Sequence, residues 1–398
     1  MHPADEIRGS KSSRLSNKRI VLGVTGSIAA VECVKISREL IRHGAEVIPV
    51  MTNSAKKIIH PDALWFSTGN KPIIELSGAT EHVSLCGRVK KPADLLLICP
   101  CTSNTISKIA HGIDDTSVTT FAATAIGSNV PIAIVPAMHI SMYDHKIIES
   151  NIKKCKKVGI KFIEPSLVGN KAKIANEEEI IAKTIRLLGR QDLVDKKILI
   201  IGGSTAESID DVRFVSNHSS GKTAIWLSKN AFYRGADVEL LYGYSHEVIP
   251  NYIKNIRYES LSDLSKLLKK YDLKKYDIII LCAALPDYIT KKQKGKISSD
   301  EKKLILTMQK TPKIISKLRN LAPKSKIIGF KLEENKTKIQ EKAHNLLKKN
   351  HLDFVVANTL TGLNKQDNEI WIINRRGKSH HKKADKETLT DFILDTIK

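Results

Sequence analysis

Aromatic residues are scarce in this 398-residue chain, at 5%, and acidic residues are outnumbered by basic ones, 42 to 65. The formal charge of +23 suits nucleic acid, a membrane surface or small polyanions. Few aromatics, basic residues spread along the whole chain and no zinc-finger or RNA-recognition motif argue against the first, so a basic nucleic-acid-binding protein stands only as the alternative. Long apolar runs are also missing: none can cross a bilayer, and the first eighteen residues have no apolar signal core. Cysteine is sparse too. Cys33, Cys86, Cys99, Cys101, Cys155 and Cys282 form no CxxC pair and fit reduced thiols better than a disulfide frame. The expectation is a cytoplasmic protein whose residues 1–18 form a flexible leader, with no membrane and no nucleic acid among its partners.

What is present is a series of Ile/Val/Leu runs within a hydrophobic content of 41%, in a chain too long for one core. From Arg19 the order is strand (RIVLGV), helix (Ser27 to Arg42) and strand (Ala45 to Thr52), which predicts parallel strands with right-handed crossovers. Asp94 to Cys99 reads as a buried strand emptying into Pro100-Cys101-Thr102-Ser103-Asn104-Thr105. Pro131 to Val135 is another, delivering Pro136-Ala137-Met138-His139. After a helix at Glu177 to Leu188 and a polar link, Lys197 restarts the pattern, with Asp277 to Leu285 as a central strand. Arg375-Arg376-Gly377 reads as a hairpin turn, His380-His381 as an exposed polar turn, and a helix closes the chain. The fold class is therefore α/β, with two Rossmann-like domains: a flavodoxin-like domain over 19–190 and a doubly wound domain over 191–398.

The stretch Gly202 to Gly221 (GGSTAESIDDVRFVSNHSSG) lies between a strand and a helix. Small residues there let the backbone approach a phosphate, and the helix N-terminus offers unpaired N–H groups. Its Asp210-to-Gly221 string resembles the nucleotide-binding loop of phosphopantothenate-cysteine ligases, and most closely that of the bifunctional coenzyme A biosynthesis enzymes, in which such a ligase follows a flavin-dependent phosphopantothenoylcysteine decarboxylase. The first half resembles that decarboxylase at Gly23 to Ala30, at Pro100 to Gly112 and at Pro136 to Tyr143.

The resemblance implies FMN contacts at Gly26, Ser27, Thr52, Ser103, Asn104 and Thr119. It makes His82, in a His-x-x-Leu segment, the base that takes the substrate thiol proton, and it places substrate at Met138. His139 stands where the family has a carboxylate-holding asparagine, and Tyr143 where it has tryptophan; an imidazole can still donate to a carboxylate. The family's flap cysteine, which supplies a proton, is absent from Val168 to Ala175, so a flap lysine or water would serve.

In the second half the resemblance implies donors to the acyl group from Asn217 and neutralisation of the leaving pyrophosphate by Lys296, with Lys294 the alternative. It implies substrate or nucleotide contacts at Gly203, Ser219, Ser220, Ala283, Asp287, Lys310, Pro312, Lys313, Ile314, Ile315, Phe330 and Lys349. It implies CTP with Mg2+ or Mn2+, metal ligands unspecified, the small molecules 4'-phosphopantothenate and cysteine, and a trimer-based homo-oligomer up to a dodecamer. A ligase with a divergent flavoprotein half is the alternative within the enzyme class.

Overall fold

The apolar runs become the buried strands of two sheets, one in each of two units, Met1–Gly189 and Arg190–Lys398. The structure, a computed structural model, describes residues 2–168, 171–298, 303–334, 336–359 and 367–398.

In the first unit a short helix α1 (Pro3–Glu6) precedes β1 (Arg19–Val24), α2 (Cys33–Arg42), β2 (Glu46–Met51), α3 (Asn53–Lys56), α4 (Pro61–Thr68), α5 (Glu81–Cys86) and β3 (Leu95–Cys101). Then come α6 (Ser103–Ala110), α7 (Ser117–Ser128), β4 (Ile132–Pro136), β5 (Met138–His139), α8 (Ile140–Tyr143), α9 (Lys146–Lys157), β6 (Lys161–Phe162), β7 (Ser166–Val168), β8 (Lys171–Lys173) and α10 (Glu177–Leu188). The main sheet runs β2-β1-β3-β4-β6, all parallel. All seven residues of β3 are buried, as a strand covered by helices on both faces requires. β5, β8 and β7 form a small antiparallel sheet. Two expectations change here. The helix expected from Ser27 starts as a 3₁₀ turn, Ile28–Glu32, before α2. The leader is not free: Ala4 and Leu15 are fully buried, Arg8 donates to the Ala45 carbonyl, and Lys11 pairs with Glu39. Two small apolar anchors and local ion pairs suffice to dock a segment whose composition is otherwise polar. The leader walls a cleft of about 940 Å³ at the amino edge of the sheet.

The second unit contains β9 (Lys197–Gly202), β10 (Glu207–Ser208), β11 (Phe214–Val215), α11 (Lys222–Tyr233), β12 (Asp237–Tyr242), β13 (Lys254–Arg257), α12 (Leu261–Lys270) and β14 (Ile278–Leu281). It continues with β15 (Tyr288–Thr290), β16 (Met308–Lys310), α13 (Ile314–Leu321), β17 (Lys326–Glu333), α14 (Ile339–Lys349), β18 (Phe354–Thr359), β19 (Asp367–Asn374), β20 (Ser379–Asp385) and α15 (Lys386–Ile397). Its sheet runs β13-β12-β9-β14-β17-β18-β19-β20, parallel through β18 and antiparallel beyond. The turn between β19 and β20 uses Gly377 at φ 77°. β14 stops at Leu281, although the apolar run continues to Leu285. There the chain swings toward the preceding loop, with the Ala284 N–H donating to the Gly203 carbonyl at 2.8 Å. His380 and His381 lie in β20 rather than in a turn, and His381 stacks on Trp371 and pairs with Glu369.

Candidate active sites at two carboxyl edges

In the first unit, the chain leaves β1, β2 and β3 at one edge and starts a helix or turn after each. Hydroxyl side chains cap these starts: Ser27 accepts from Ala29 N, Thr52 from Ala55 N, and Thr102 from Thr105 N. Thr116 caps α7 in a capping box with Thr119. Ser117 brings that helix to the same edge, its hydroxyl donating to the Met51 carbonyl at 2.8 Å. Thr25 ties two of the turns together, donating to Pro100 O at 2.8 Å and accepting from Thr102 N at 3.1 Å. Gly26 packs so closely that an added Cβ would stand 2.6 Å from the Ser54 Cβ.

Gly26, Ser27, Thr52, Ser103, Asn104 and Thr119 thus share one edge, in different states. Thr52, Ser103 and Thr119 are buried, and the hydroxyls of Thr52 and Thr119 are taken up by caps; Asn104 is exposed. Sequence reasoning passed over Thr25, Thr102 and Thr116. Their signal is positional, a threonine in the turn just before each helix.

His82, in α5, packs edge-on against Phe121 of α7 with ring centroids 6.5 Å apart. Its Nδ1 is buried and, among the described residues, has no hydrogen-bond partner. A buried polar atom left without a partner is costly and marks a position where a ligand can supply one. His139 is exposed just beyond β4 and caps α8, its Nδ1 accepting from Ser141 N at 3.2 Å. That bond assigns the proton to Nε2, leaving an N–H donor directed away from the cap. Met138 is half-buried and pairs with Ala172 across the small sheet. The Tyr143 hydroxyl donates to Glu164 at 2.5 Å; burial, and then that carboxylate, push the phenol up. The flap expected at Val168 to Ala175 lies partly outside the described residues, at 169 and 170. Cys155 is buried and its thiol is pushed up to about 11 by desolvation, a poor proton donor at neutral pH.

In the second unit the loop after β9 is held by its glycines. Gly203 has φ 80° and lies against Gly243, where an added Cβ would stand 2.9 Å from the Gly243 nitrogen. Gly221 has φ 70°, and a Cβ there would meet the Tyr242 hydroxyl at 2.1 Å. A cavity of about 200 Å³ is lined by Gly203, Ser219, Ser220, Ala283, Phe330 and Lys386, among others. Asn217 is exposed beside it, one amide N–H donating to Ala284 O at 3.1 Å. Asp287, three residues further on, pairs with Lys313, and the turn is closed by Thr311, which donates to Pro286 O at 2.7 Å. Lys310 ends β16, opposite Tyr288, and Pro312 is exposed beside it.

The lysine segment after β15 is fastened to the same loop. Gly295 N donates to Asp211 at 2.9 Å, Ile297 N to Asp210 at 3.1 Å, and Lys292 pairs with Asp211 at 2.7 Å. Desolvation opposes the charge of Asp210, but backbone donors from Val212, Arg213 and Ile297 outweigh it and hold the carboxyl below its usual value. Lys296, between two of these anchors, is exposed. The side chain of Ile314 is buried in the core, and that of Ile315 packs against Gly329. Lys349 is exposed at the end of α14 and does not line the cavity.

Among the described residues no group of three or more His, Cys, Asp or Glu side chains is placed to hold a metal ion, and no helix is long and apolar enough to cross a membrane.

Known proteins match each unit. The Flavoprotein family covers residues 8–189, and the DNA/pantothenate metabolism flavoprotein C-terminal domain covers residues 193–398. The coenzyme A biosynthesis bifunctional protein CoaBC of Thermococcus kodakarensis is 42% identical over 402 residues, spanning 100% of this chain and 99% of that relative. That of Methanocaldococcus jannaschii is 39% identical, spanning 100% and 98%, and that of Borreliella burgdorferi 35%, spanning 96% and 99%. With both sites on one chain and similarity over its whole length, this protein belongs to the family of bifunctional coenzyme A biosynthesis proteins.

Proposed function

We propose that the second unit joins cysteine to 4'-phosphopantothenate through an acyl nucleotide made from CTP, and that the first unit, with FMN, decarboxylates the product to 4'-phosphopantetheine. The observation that carries this reading is that one chain, related end to end to bifunctional coenzyme A proteins, has a separate carboxyl-edge site in each unit.

The first edge fits a flavin phosphate because several helix and turn starts meet there and the unpartnered His82 Nδ1 lies beside α7. Gly26, Ser27, Ser103 and Asn104 would hold FMN, with the buried Thr52 and Thr119 shaping the helix starts beneath. FMN, when bound, supplies the two-electron acceptor that carbon–carbon cleavage next to a thiol needs. His82 Nδ1 takes the thiol proton, and the His139 Nε2–H holds the substrate carboxylate.

In the second unit the remaining N–H of Asn217 faces the acyl oxygen, Lys296 offsets the charge of the departing pyrophosphate, and Asp287 with the Lys310–Lys313 turn and the start of α13 at Ile314 orients the nucleotide. A divalent cation, Mg2+ or Mn2+, would be held by phosphate oxygens and water, in keeping with the absence of a carboxylate cage among the described residues.

Supplying full-length protein with phosphopantothenate, cysteine, CTP and magnesium should give phosphopantetheine by mass and a yellow, FMN-like spectrum. Accumulation of phosphopantothenoylcysteine alone would replace this reading with a ligase carrying a divergent flavoprotein unit. Replacing CTP by ATP tests the base preference.

A further inference from the structure

The cavity lined by Gly203, Ser219, Ser220, Ala283 and Phe330 also contains a cation that the scheme above does not use. Among the described residues Lys386, the first residue of α15, is the one lysine or arginine lining it, and no acidic residue does. Its position is set by the packing of two helices. Asn230 of α11 donates to the Glu387 carbonyl at 2.9 Å and to the Thr390 hydroxyl at 2.8 Å, which fastens the first turn of α15, and Asp385 caps that turn by accepting from Thr388 N at 2.9 Å. Lys386 thereby lines the same cavity as the start of α11, where Gly221 has no side chain to cap the helix.

Lys386 is half-buried, and among the described residues its ammonium makes no ion pair. Burial, and then the like charge of Lys222, hold that ammonium below its usual value; Glu247, which opposes them, pairs with Lys222 at 3.4 Å. A half-buried lysine without a counter-charge is stabilised when an anion enters. The lining suits two parts of a nucleotide. Ala283, Phe330 and Leu332 offer apolar surface to a base, whereas Ser219, Ser220, Thr223 and the uncapped start of α11 offer donors to phosphate oxygens. Lys296 does not line the cavity, its segment being fastened to Asp210 and Asp211, so the cation present beside those donors is Lys386.

We propose that Lys386 binds a phosphate of the nucleotide, together with Ser219, Ser220 and the start of α11, an inference that rests on the ligase reading above. It meets charge that the nucleotide carries on arrival, so it acts on affinity rather than on the chemical step.

The test measures CTP binding to full-length wild type, Lys386→Met and Lys386→Arg by titration calorimetry with magnesium, and pyrophosphate release with each substrate varied in turn. Lys386→Met keeps the apolar stem and removes the charge, and it should raise Kd and KM for CTP about 10- to 100-fold. It should leave kcat and the KM for 4'-phosphopantothenate within about threefold. Lys386→Arg should recover most of the CTP affinity. Unchanged CTP affinity in Lys386→Met would overturn the proposal, as would a rise confined to the KM for 4'-phosphopantothenate. Equal losses in both variants, each melting like wild type, would overturn it too, because charge would then not be what the residue supplies. Should CTP bind in a Lys386-dependent way while no pyrophosphate is released, the ligase reading fails and this one stands.

Discussion

The carboxyl edge of the first sheet is built from neutral groups, and that of the second from charged ones. At the first, Ser27, Thr52, Thr102 and Thr116 each cap a helix or turn start, so the charge offered there is the partial charge of backbone dipoles. At the second, the main helix start, Gly221, has no side-chain cap, and Lys222, Lys296, Lys310, Lys313 and Lys386 stand around the loop and turn. The difference matches what the proposed function asks of each edge. A cofactor phosphate keeps one charge throughout, which fixed dipoles can match. A triphosphate that loses pyrophosphate changes its charge during the reaction, which calls for cations able to follow it.

If the second edge acts through directed donors as well as charge, Asn217→Ala should lower ligation kcat by about 10²–10³-fold. Decarboxylation of ready-made phosphopantothenoylcysteine should be unchanged, and equal loss of both activities would erase the distinction between the edges. At the first edge, His82→Asn should cost about 10²–10⁴-fold in decarboxylation. The flavin spectrum and pyrophosphate release should stay intact. Thr116→Ala, by removing a cap, should lower stability by about 1 kcal/mol, read by denaturant unfolding, and weaken flavin retention.

The smallest effect concerns pH. Although desolvation opposes its charge, backbone donors hold the Asp210 carboxyl below the usual carboxylate value. The stability it contributes is therefore fully present above about pH 4 and is lost as pH falls through the lower folded value. Hydrogen exchange of the Ile297 amide should accelerate over that acid range in wild type. In Asp210→Asn it should already be fast at neutral pH, and an amide equally protected in both would show that the carboxylate does not anchor the lysine segment.

Much of this was legible from the chain alone. The runs at Arg19, Leu95, Lys197 and Ile278 are continuous because their strands are covered on both faces, and the first three empty into small polar residues, so the two edges could be located before any fold was known. What escaped was whatever depends on contacts distant in sequence. The leader looked free because two buried residues, Ala4 and Leu15, hardly alter a polar composition. That Ile314 turns its side chain into the core was likewise not legible, because a motif does not say which way a helix turns its side chains.

By itself the sequence determined the parallel α/β order and the family, because periodicity and motif spacing are local properties of the chain. Only the tertiary structure decided that His82 keeps a buried nitrogen without a partner, that the lysine segment is fastened by Asp210 and Asp211, and that Lys386 faces the cavity more than 160 residues away from Ser219. Burial and charge balance are set by neighbours in space, and no window along the chain contains them.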